Sequence, residues 1–196
     1  MELIDNEKID CFAAENPLDV VNGDGVFMHS DEDRLFVAIV DGSGHGPVAH
    51  IIAQASCEFI KTNINLELPD IMSRLHEKLR GTRGGVSIIG KLNYNSLEFR
   101  YVAIGNVELR KIGNSSKRAV SQGGVLGYSI RTPREQSMQL ETNDRLILYT
   151  DGITSTFDES DYPTIRRDNA EVIANHLISD FAKNNDDATC IVARVK

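Results

Sequence analysis

The chain has 196 residues, of which 41% are hydrophobic, 26% charged and 6% aromatic, a composition typical of a globular domain and not of a disordered protein. Its formal net charge of -8 argues against nucleic acid and membrane partners, because phosphate backbones and anionic lipids repel an acidic protein. The sequence contains no apolar run long enough to span a membrane, and its opening, MELIDNEKID, does not resemble a secretory signal, so we expect a cytoplasmic protein.

The three cysteines, Cys11, Cys57 and Cys190, are widely separated in the sequence. This spacing is not typical of a disulfide framework or a zinc site, and we expect all three to be small buried side chains. No repeat, low-complexity tract or flexible linker interrupts the chain. Residues 1–196 are therefore predicted to form a single domain.

Strands are predicted first, over residues 8–14, 25–30 and 34–40. Two helices follow, each with an apolar stripe at i, i+3 and i+4 spacing. The stripe of the first helix, over residues 46–63, comprises Val48, Ile51, Ile52, Ala55, Phe59 and Ile60. The stripe of the second helix comprises Leu68, Ile71, Met72, Leu75 and Leu79.

The second half of the chain is dominated by strands. Segments 86–92, 97–104 and 107–112 are predicted to form an antiparallel meander, and further strands are predicted near 136–140, 145–149 and 189–195. One late helix over 169–183 is expected to direct Val172, Ile173, Leu177 and Phe181 inward. Because the helices are few and clustered, this order predicts an α+β sandwich with helices outside antiparallel sheets.

Four acidic clusters lie where a predicted strand meets a loop, at residues 22–25, 40–46, 149–152 and 185–189. A single Asp-Gly pair usually marks a turn, but Asp41 and Asp151 each follow a buried strand, and rigid strand ends suit metal ligands. Carboxylates that are brought together need cations to neutralise them. Oxygen ligands without His or Cys favour Mg²⁺ or Mn²⁺, so the pattern predicts a binuclear site for these ions.

The series Asp24, DGSGHG at 41–46, Gly105-Asn106, Asp151-Gly152 and DDAT at 186–189 resembles the metal-dependent protein Ser/Thr phosphatases of the PPM family. Within the SpoIIE and RsbU branch it is most similar to the stand-alone RsbX-type phosphatases, since we expect no sensor or membrane region before the catalytic module. The resemblance covers nearly the whole chain. It implies an αββα sandwich, two antiparallel sheets flanked by helices, with the metal site at one edge between the sheets.

The resemblance also implies a set of metal ligands for two Mn²⁺ or Mg²⁺ ions. Asp41 would bridge both ions, and Gly42 would contribute its backbone carbonyl. Asp24 would bind one ion directly or through water, and Asp151 and Asp186 would complete the other. The ions would acidify a bridging water and neutralise the phosphate oxygens, so that water attacks the phosphorus directly.

Two further candidates, Asp187 and His45, lie beside these ligands in the sequence. Asp187 matches the second residue of the closing family motif, a position that holds water or supports a ligand. In larger eukaryotic members a His directly follows the Asp-Gly pair, whereas here Ser43 takes that position. His45 either protonates the leaving serine oxygen or is an exposed residue where the helix begins, and we favour the second interpretation.

The resemblance implies hydrolysis of phosphoserine and phosphothreonine on stressosome STAS-domain proteins. One alternative is a SpoIIE- or RsbU-like phosphatase acting on a phosphorylated anti-sigma-factor antagonist, and another is a non-catalytic binding module of the same fold. Arg80, Arg83 and Arg131 match no family position and are interpreted as solvated surface residues.

Three unrelated site types fit the sequence less well. A nucleotide-binding glycine loop at 42–46 should lead through one helix to a second parallel strand, but two helices are predicted here. A haloacid-dehalogenase nucleophile should follow an apolar strand, whereas Asp31 and Asp33 precede one. A Cys phosphatase is excluded because no cysteine has an Arg six positions later.

Overall fold

The structure is a computed structural model that describes residues 2–154, 157 and 160–196. The first half of the chain, up to the end of the second helix, is made of β1 (Glu2–Asp5), β2 (Ile9–Asn16), β3 (Asp24–Ser30), β4 (Arg34–Gly42), α1 (Gly46–Thr62) and α2 (Leu68–Lys78). The second half is made of β5 (Gly85–Asn93), β6 (Glu98–Ile104), β7 (Glu108–Ile112), β8 (Lys117–Arg118), β9 (Gly124–Val125), β10 (Ser129–Ile130), β11 (Gln136–Gln139), β12 (Arg145–Tyr149), α3 (Ala170–Phe181) and β13 (Ala188–Val195).

Two antiparallel sheets form the centre of the protein. One sheet has the strand order β1-β2-β13-β12-β7-β8, and the other has the order β11-β6-β5-β4-β3. Helices α1 and α2 pack on the second sheet, and α3 packs on the first. The predicted α+β class and αββα sandwich are therefore confirmed. No helix in the described part of the chain is long and apolar enough to cross a membrane.

The apolar side chains form three layers, one between the sheets and one under the helices on each side. Strand β4 contributes to two of these layers. Its alternate residues face the other sheet (Leu35, Val37, Ile39) or the helices α1 and α2 (Phe36, Ala38, Val40). A strand buried on both faces needs apolar residues at every position, which explains the unbroken run LFVAIV.

The predicted buried face of α1 is wrong in part. Val48, Ile51 and Ala55 point to solvent. The buried face is made mostly of small residues: Gly46, Ala49, Ile52, Ala53, Ser56, Cys57 and Ile60. The cause is the short distance between the helix and the sheet, which favours small side chains where the two are closest, at Gly42 and Ala49. Hydrophobic periodicity alone gives most weight to the largest apolar residues, so it places part of the buried face on the wrong side of the helix.

The predicted face of α2 is confirmed, since all five of its apolar residues are buried. In α3, Ile173 and Leu177 are buried as predicted, but Val172 is 48% exposed. The Asn169 side chain caps this helix by accepting a hydrogen bond from the Val172 backbone N–H at 2.8 Å. That cap fixes where the helix begins and leaves Val172 on the outer face.

The predicted meander is wrong at its third strand. Strands β5 and β6 pair as expected, but β7 pairs with β12 and β8 in the other sheet. The chain crosses between the sheets at Gly105, which has a φ of +94° and where a Cβ would lie 2.1 Å from Val86 Cγ1. Only glycine allows this turn, and the crossing brings Asn106 to the edge where both sheets end.

Candidate metal centre

Three carboxylates from separate segments line one cavity of about 360 Å³ where the edges of the two sheets meet. Asp41 lies near the end of β4, Asp151 is the second residue after β12, and Asp186 precedes β13. Because β4 belongs to one sheet and β12 and β13 to the other, only the sandwich brings them together. The remaining lining residues are Ser43, Gly44, His45, Val86, Asn106 and Val125.

In the described part of the chain, no ion pair links these carboxylates to a Lys, Arg or His side chain, and the Lys183 charge offsets only part of the rise in the pKa of Asp186. Burial raises the pKa of Asp41 to about 7, with further contributions from the charges of Asp151, Asp186 and Asp187. The pKa of Asp186 is also raised, first by burial and then by Asp151. In the described ranges no three acidic, His or Cys side chains converge as closely as metal ligands do. This oxygen-rich, negatively charged cavity fits a hard divalent cation.

Asp24 lies behind this cavity, directly opposite Asp41 in the β3–β4 pair. It is buried and borders a second, smaller cavity of about 180 Å³ together with Glu15. Its Oδ2 accepts a hydrogen bond from Thr150 Oγ1 at 2.8 Å. Burial and the neighbouring Asp41 hold the pKa of Asp24 well above its usual range.

A buried network connects Asp24 to both sheets, and sequence reasoning missed it. The Thr150 hydroxyl donates to Asp24 and accepts from the Thr189 backbone N–H at 3.1 Å. Asn22 Nδ2 donates to Thr189 Oγ1 at 3.0 Å and to Glu15 Oε2 at 3.0 Å. The available signal was the position of each Thr, one inside YTDG and the other closing DDAT.

Asp187 is buried and is not among the residues that line the metal-site cavity. Its Oδ1 accepts a hydrogen bond from the Leu18 backbone N–H at 2.8 Å. Its buried Oδ2 has no hydrogen-bond partner among the residues that the structure describes. Asp187 therefore holds the 17–23 loop in place behind the carboxylates.

Gly42 and His45 lie on the loop that leads from β4 into α1. A Cβ on Gly42 would lie 2.4 Å from the Ala49 carbonyl oxygen of α1, so only glycine permits this close packing. His45 immediately precedes α1, lines the cavity and has a side chain that is 66% exposed. Its Nδ1 lies 3.3 Å from Asp19 Oδ2.

Two contacts to Asp151 were also missed from the sequence. Asn106 Nδ2 donates to Asp151 Oδ2 at 2.6 Å, and Lys183 Nζ donates to the Asp151 carbonyl oxygen at 2.5 Å. Asn106 belongs to the motif series, but nothing in its spacing gave it a role. For Lys183, which follows α3, the sequence offered no signal at all.

Comparisons with known proteins agree with this architecture. Residues 31–196 match the family described as stage II sporulation protein E (SpoIIE). The chain is 25% identical over 180 residues to the phosphoserine phosphatase RsbX of Bacillus subtilis (strain 168). The aligned residues cover 88% of this chain and 87% of that protein.

Two solved structures share the fold. A crystal structure of RsbX in complex with magnesium superposes with a TM-score of 0.88 at 22% identity, covering 100% of this chain and 99% of that one. A structure from the bacterial stressosome, described as a modular system adapted to control secondary messenger signalling, gives a TM-score of 0.85 at 23% identity, with coverage of 95% and 98%. Since the family match spans most of the chain and the observed sandwich agrees with it, the chain belongs to the stage II sporulation protein E (SpoIIE) family of PPM-type phosphatases.

Proposed function

We propose that the chain is a metal-dependent protein phosphatase that hydrolyses phosphoserine or phosphothreonine on STAS-domain proteins of a stressosome. The observation that carries the activity is the cavity shared by Asp41, Asp151 and Asp186. Similarity to RsbX, a phosphoserine phosphatase, supports the substrate chemistry, and the fold shared with a stressosome structure supports the partner. We place the reaction in the cytoplasm, in line with three free, buried cysteines.

The proposed site holds two Mg²⁺ or Mn²⁺ ions. Asp41 would bridge them, and Asp151 and Asp186 would be further ligands of one ion. Asp24 and the Gly42 carbonyl would be ligands of the other, Asp24 directly or through water. When bound, the ions supply an acidified attacking water and neutralise the phosphate oxygens. The raised pKa of Asp41 supports this assignment, because a cation would relieve the repulsion that causes part of it.

The other residues orient these ligands. The hydrogen bond from Asn106 fixes one Asp151 carboxylate oxygen, and Lys183 holds the Asp151 backbone. Asp187 supports the 17–23 loop through Leu18. Val86 and Val125 present apolar surface to the cavity.

The proton for the leaving oxygen comes either from His45 or from solvent. The exposure of His45 and its contact with Asp19 agree with an exposed residue at the start of α1, the interpretation that we favour. Its place in the cavity lining agrees with general acid catalysis, and the variant His45→Ala distinguishes the two.

The test of the proposed function is phosphate release from phosphorylated STAS proteins, free and assembled in a stressosome, with Mn²⁺, with Mg²⁺ and with a chelator. Asp151→Asn is compared with Asp33→Asn, an exposed acid in a distant turn. We expect metal-dependent release by the wild type and by Asp33→Asn. The activity of Asp151→Asn should fall by more than the roughly 10–100-fold that is typical when a residue supporting a metal ligand is removed.

The outcomes separate the activity from the substrate. Release from a free phosphorylated anti-sigma-factor antagonist but not from the stressosome would favour the SpoIIE- and RsbU-like alternative. Absence of metal-dependent turnover, even of p-nitrophenyl phosphate, would contradict the enzymatic function and favour a binding module. Undiminished turnover by Asp151→Asn would contradict the assigned site.

A further inference from the structure

An apolar groove of about 520 Å³ lies beside the carboxylate cavity, lined by Val48, Ile51, Ile52 and residues 81–83. Two of its apolar side chains are unusually accessible, since Val48 is 45% and Ile51 is 66% exposed. They lie on the outer face of the first turns of α1, directly after the loop that lines the cavity. This position, and not exposure alone, sets them apart from scattered surface apolar residues.

Arg83 lies where the groove and the cavity meet. It lines the groove, and its Nη1 lies 3.3 Å from the position that a Cβ on Gly44 would take, while Gly44 lines the cavity. The backbone around Arg83 is fixed by hydrogen bonds, because the Ser43 N–H donates to the Gly84 carbonyl oxygen at 2.9 Å and the Gly84 N–H donates to Thr82 Oγ1 at 2.9 Å.

The Arg83 guanidinium has no hydrogen-bond or ion-pair partner among the described residues. By contrast, Arg80 in the same loop pairs with Glu77, at 2.8 Å between Nε and Oε2. An unpaired guanidinium next to a metal site on a protein of net charge -8 is complementary to a phosphate dianion, to which it can donate two parallel hydrogen bonds.

From these observations, and resting on the proposed function, we propose that Arg83 and the groove form a recognition subsite for a phosphoprotein. Arg83 contacts the phosphate of the bound phosphoserine, and the groove of Val48 and Ile51 receives an apolar side chain close to that serine in sequence. The occupant is the phosphorylated segment of the substrate, because Arg83 lines the groove and also lies against Gly44 of the cavity, so that one bound segment can reach both. The preferred substrate class is therefore a phosphoserine segment with an adjacent apolar residue.

The first test compares Arg83→Gln with Arg80→Gln as the matched control. We expect Arg83→Gln to raise KM for a phosphoserine peptide about 10-fold or more, with a smaller change in kcat, and to weaken inhibition by inorganic phosphate. Arg83→Lys should restore part of the phosphate inhibition, because it keeps the charge and loses the bidentate geometry. Arg80→Gln should behave like the wild type. Equal KM values for Arg83→Gln and the wild type would overturn the assignment.

The second test measures the ratio of kcat/KM for two phosphoserine peptides, one with Leu and one with Ser next to the phosphoserine. Ile51→Ser should lower this ratio several-fold, and the control Val172→Ser, an exposed apolar residue on α3, should not. An unchanged ratio would overturn the groove assignment. If, in addition, the wild type is a dimer and Ile51→Ser is a monomer, the groove binds a second copy of the chain, which would also overturn the assignment.

These results are distinguishable from a failure of the proposed function. A wild-type protein without metal-dependent turnover of any phosphoserine peptide contradicts the phosphatase function itself. A fully active wild type whose Arg83 and Ile51 variants match their controls contradicts only the recognition subsite.

Discussion

Asp41 is the residue whose ionisation connects folding to metal binding. Its ordinary pKa of 3.8 is raised to about 7, first by burial and then by Asp151 and Asp186. A carboxyl group with a raised folded-state pKa stabilises the protein at low pH, and that contribution is lost as pH rises through the folded-state value. Without metal, ionised Asp41 therefore destabilises the folded protein near neutral pH.

We expect Asp41→Asn to remove the destabilisation that ionised Asp41 causes in the metal-free protein near neutral pH. In a chelator, the Tm of the variant minus that of the wild type should increase from about pH 5 to about pH 8, because the variant has no carboxylate to ionise at this position. With saturating Mg²⁺ the order should reverse, since a bound ligand stabilises only the protein that binds it. Thermal unfolding at each pH measures both effects. A Tm difference independent of pH in the chelator would contradict the assigned environment of Asp41.

His45→Ala tests whether this exposed side chain acts as an acid. If His45 protonates the leaving oxygen, the variant should slow hydrolysis of a phosphoserine peptide by about 10²-fold or more and leave p-nitrophenyl phosphate nearly unaffected, because p-nitrophenolate leaves without protonation. Since we favour the exposed interpretation, we expect small and equal effects on both substrates. Steady-state kinetics on the two substrates gives the answer, and a selective loss on the peptide would establish the acid role.

At the scale of secondary-structure elements, the close packing of α1 on β4 positions the loop that lines the cavity. A Cβ on Gly42 would lie 2.4 Å from the Ala49 carbonyl oxygen, and Ala49, Ala53 and Cys57 continue the small-residue face along the helix. Larger residues at these positions would move the helix away from the sheet. The loop between β4 and α1 would then shift relative to Asp41.

Gly42→Ala should therefore destabilise the protein by roughly 1–3 kcal/mol, the usual range for overpacking, and lower activity through the displaced loop. Gly123→Ala is a matched control, because a Cβ there has no heavy atom within 4 Å. Chemical denaturation measures the free energy of unfolding of both variants. A Gly42→Ala protein as stable as Gly123→Ala would show that the helix adjusts without strain.

At the scale of the whole molecule, the two sheets are joined at the site by hydrogen bonds as well as by the apolar layer. Thr150, which directly follows β12 in one sheet, donates to Asp24 of β3 in the other and accepts from Thr189. This network fixes how the sheets sit relative to each other at the edge where the carboxylates meet. It therefore sets the spacing of the carboxylates, which come from both sheets.

Thr150→Val keeps the shape of the side chain but removes its hydroxyl. Loss of the hydroxyl leaves Asp24 without this donor, and we expect the free energy of unfolding to fall by about 1–3 kcal/mol. Mg²⁺ affinity should fall as well, because the edge loses a connection between the sheets. Denaturation and metal titration measure the two effects. Thr154→Val, outside this network, serves as the control, and wild-type values for Thr150→Val would contradict the structural role of the network.

The sequence by itself determined the fold class, the family and most elements of this protein. Strand β12 and the buried face of α2 follow from local patterns, because hydrophobic periodicity and turn signals are local properties of the sequence. The ordered series of acidic motifs indicated the family, and the same motifs supplied Asp41, Asp151 and Asp186, which the structure places around one cavity.

Only the tertiary structure decided features that depend on contacts between distant segments. The phase of α1 depends on how closely the helix approaches Gly42, and the sheet to which β7 belongs depends on the turn at Gly105. The roles of Asn106 and Thr150 depend on side chains 45 and 126 residues away. The physical reason is common to all of them, since packing distance and long-range hydrogen bonds leave no periodic trace in the sequence.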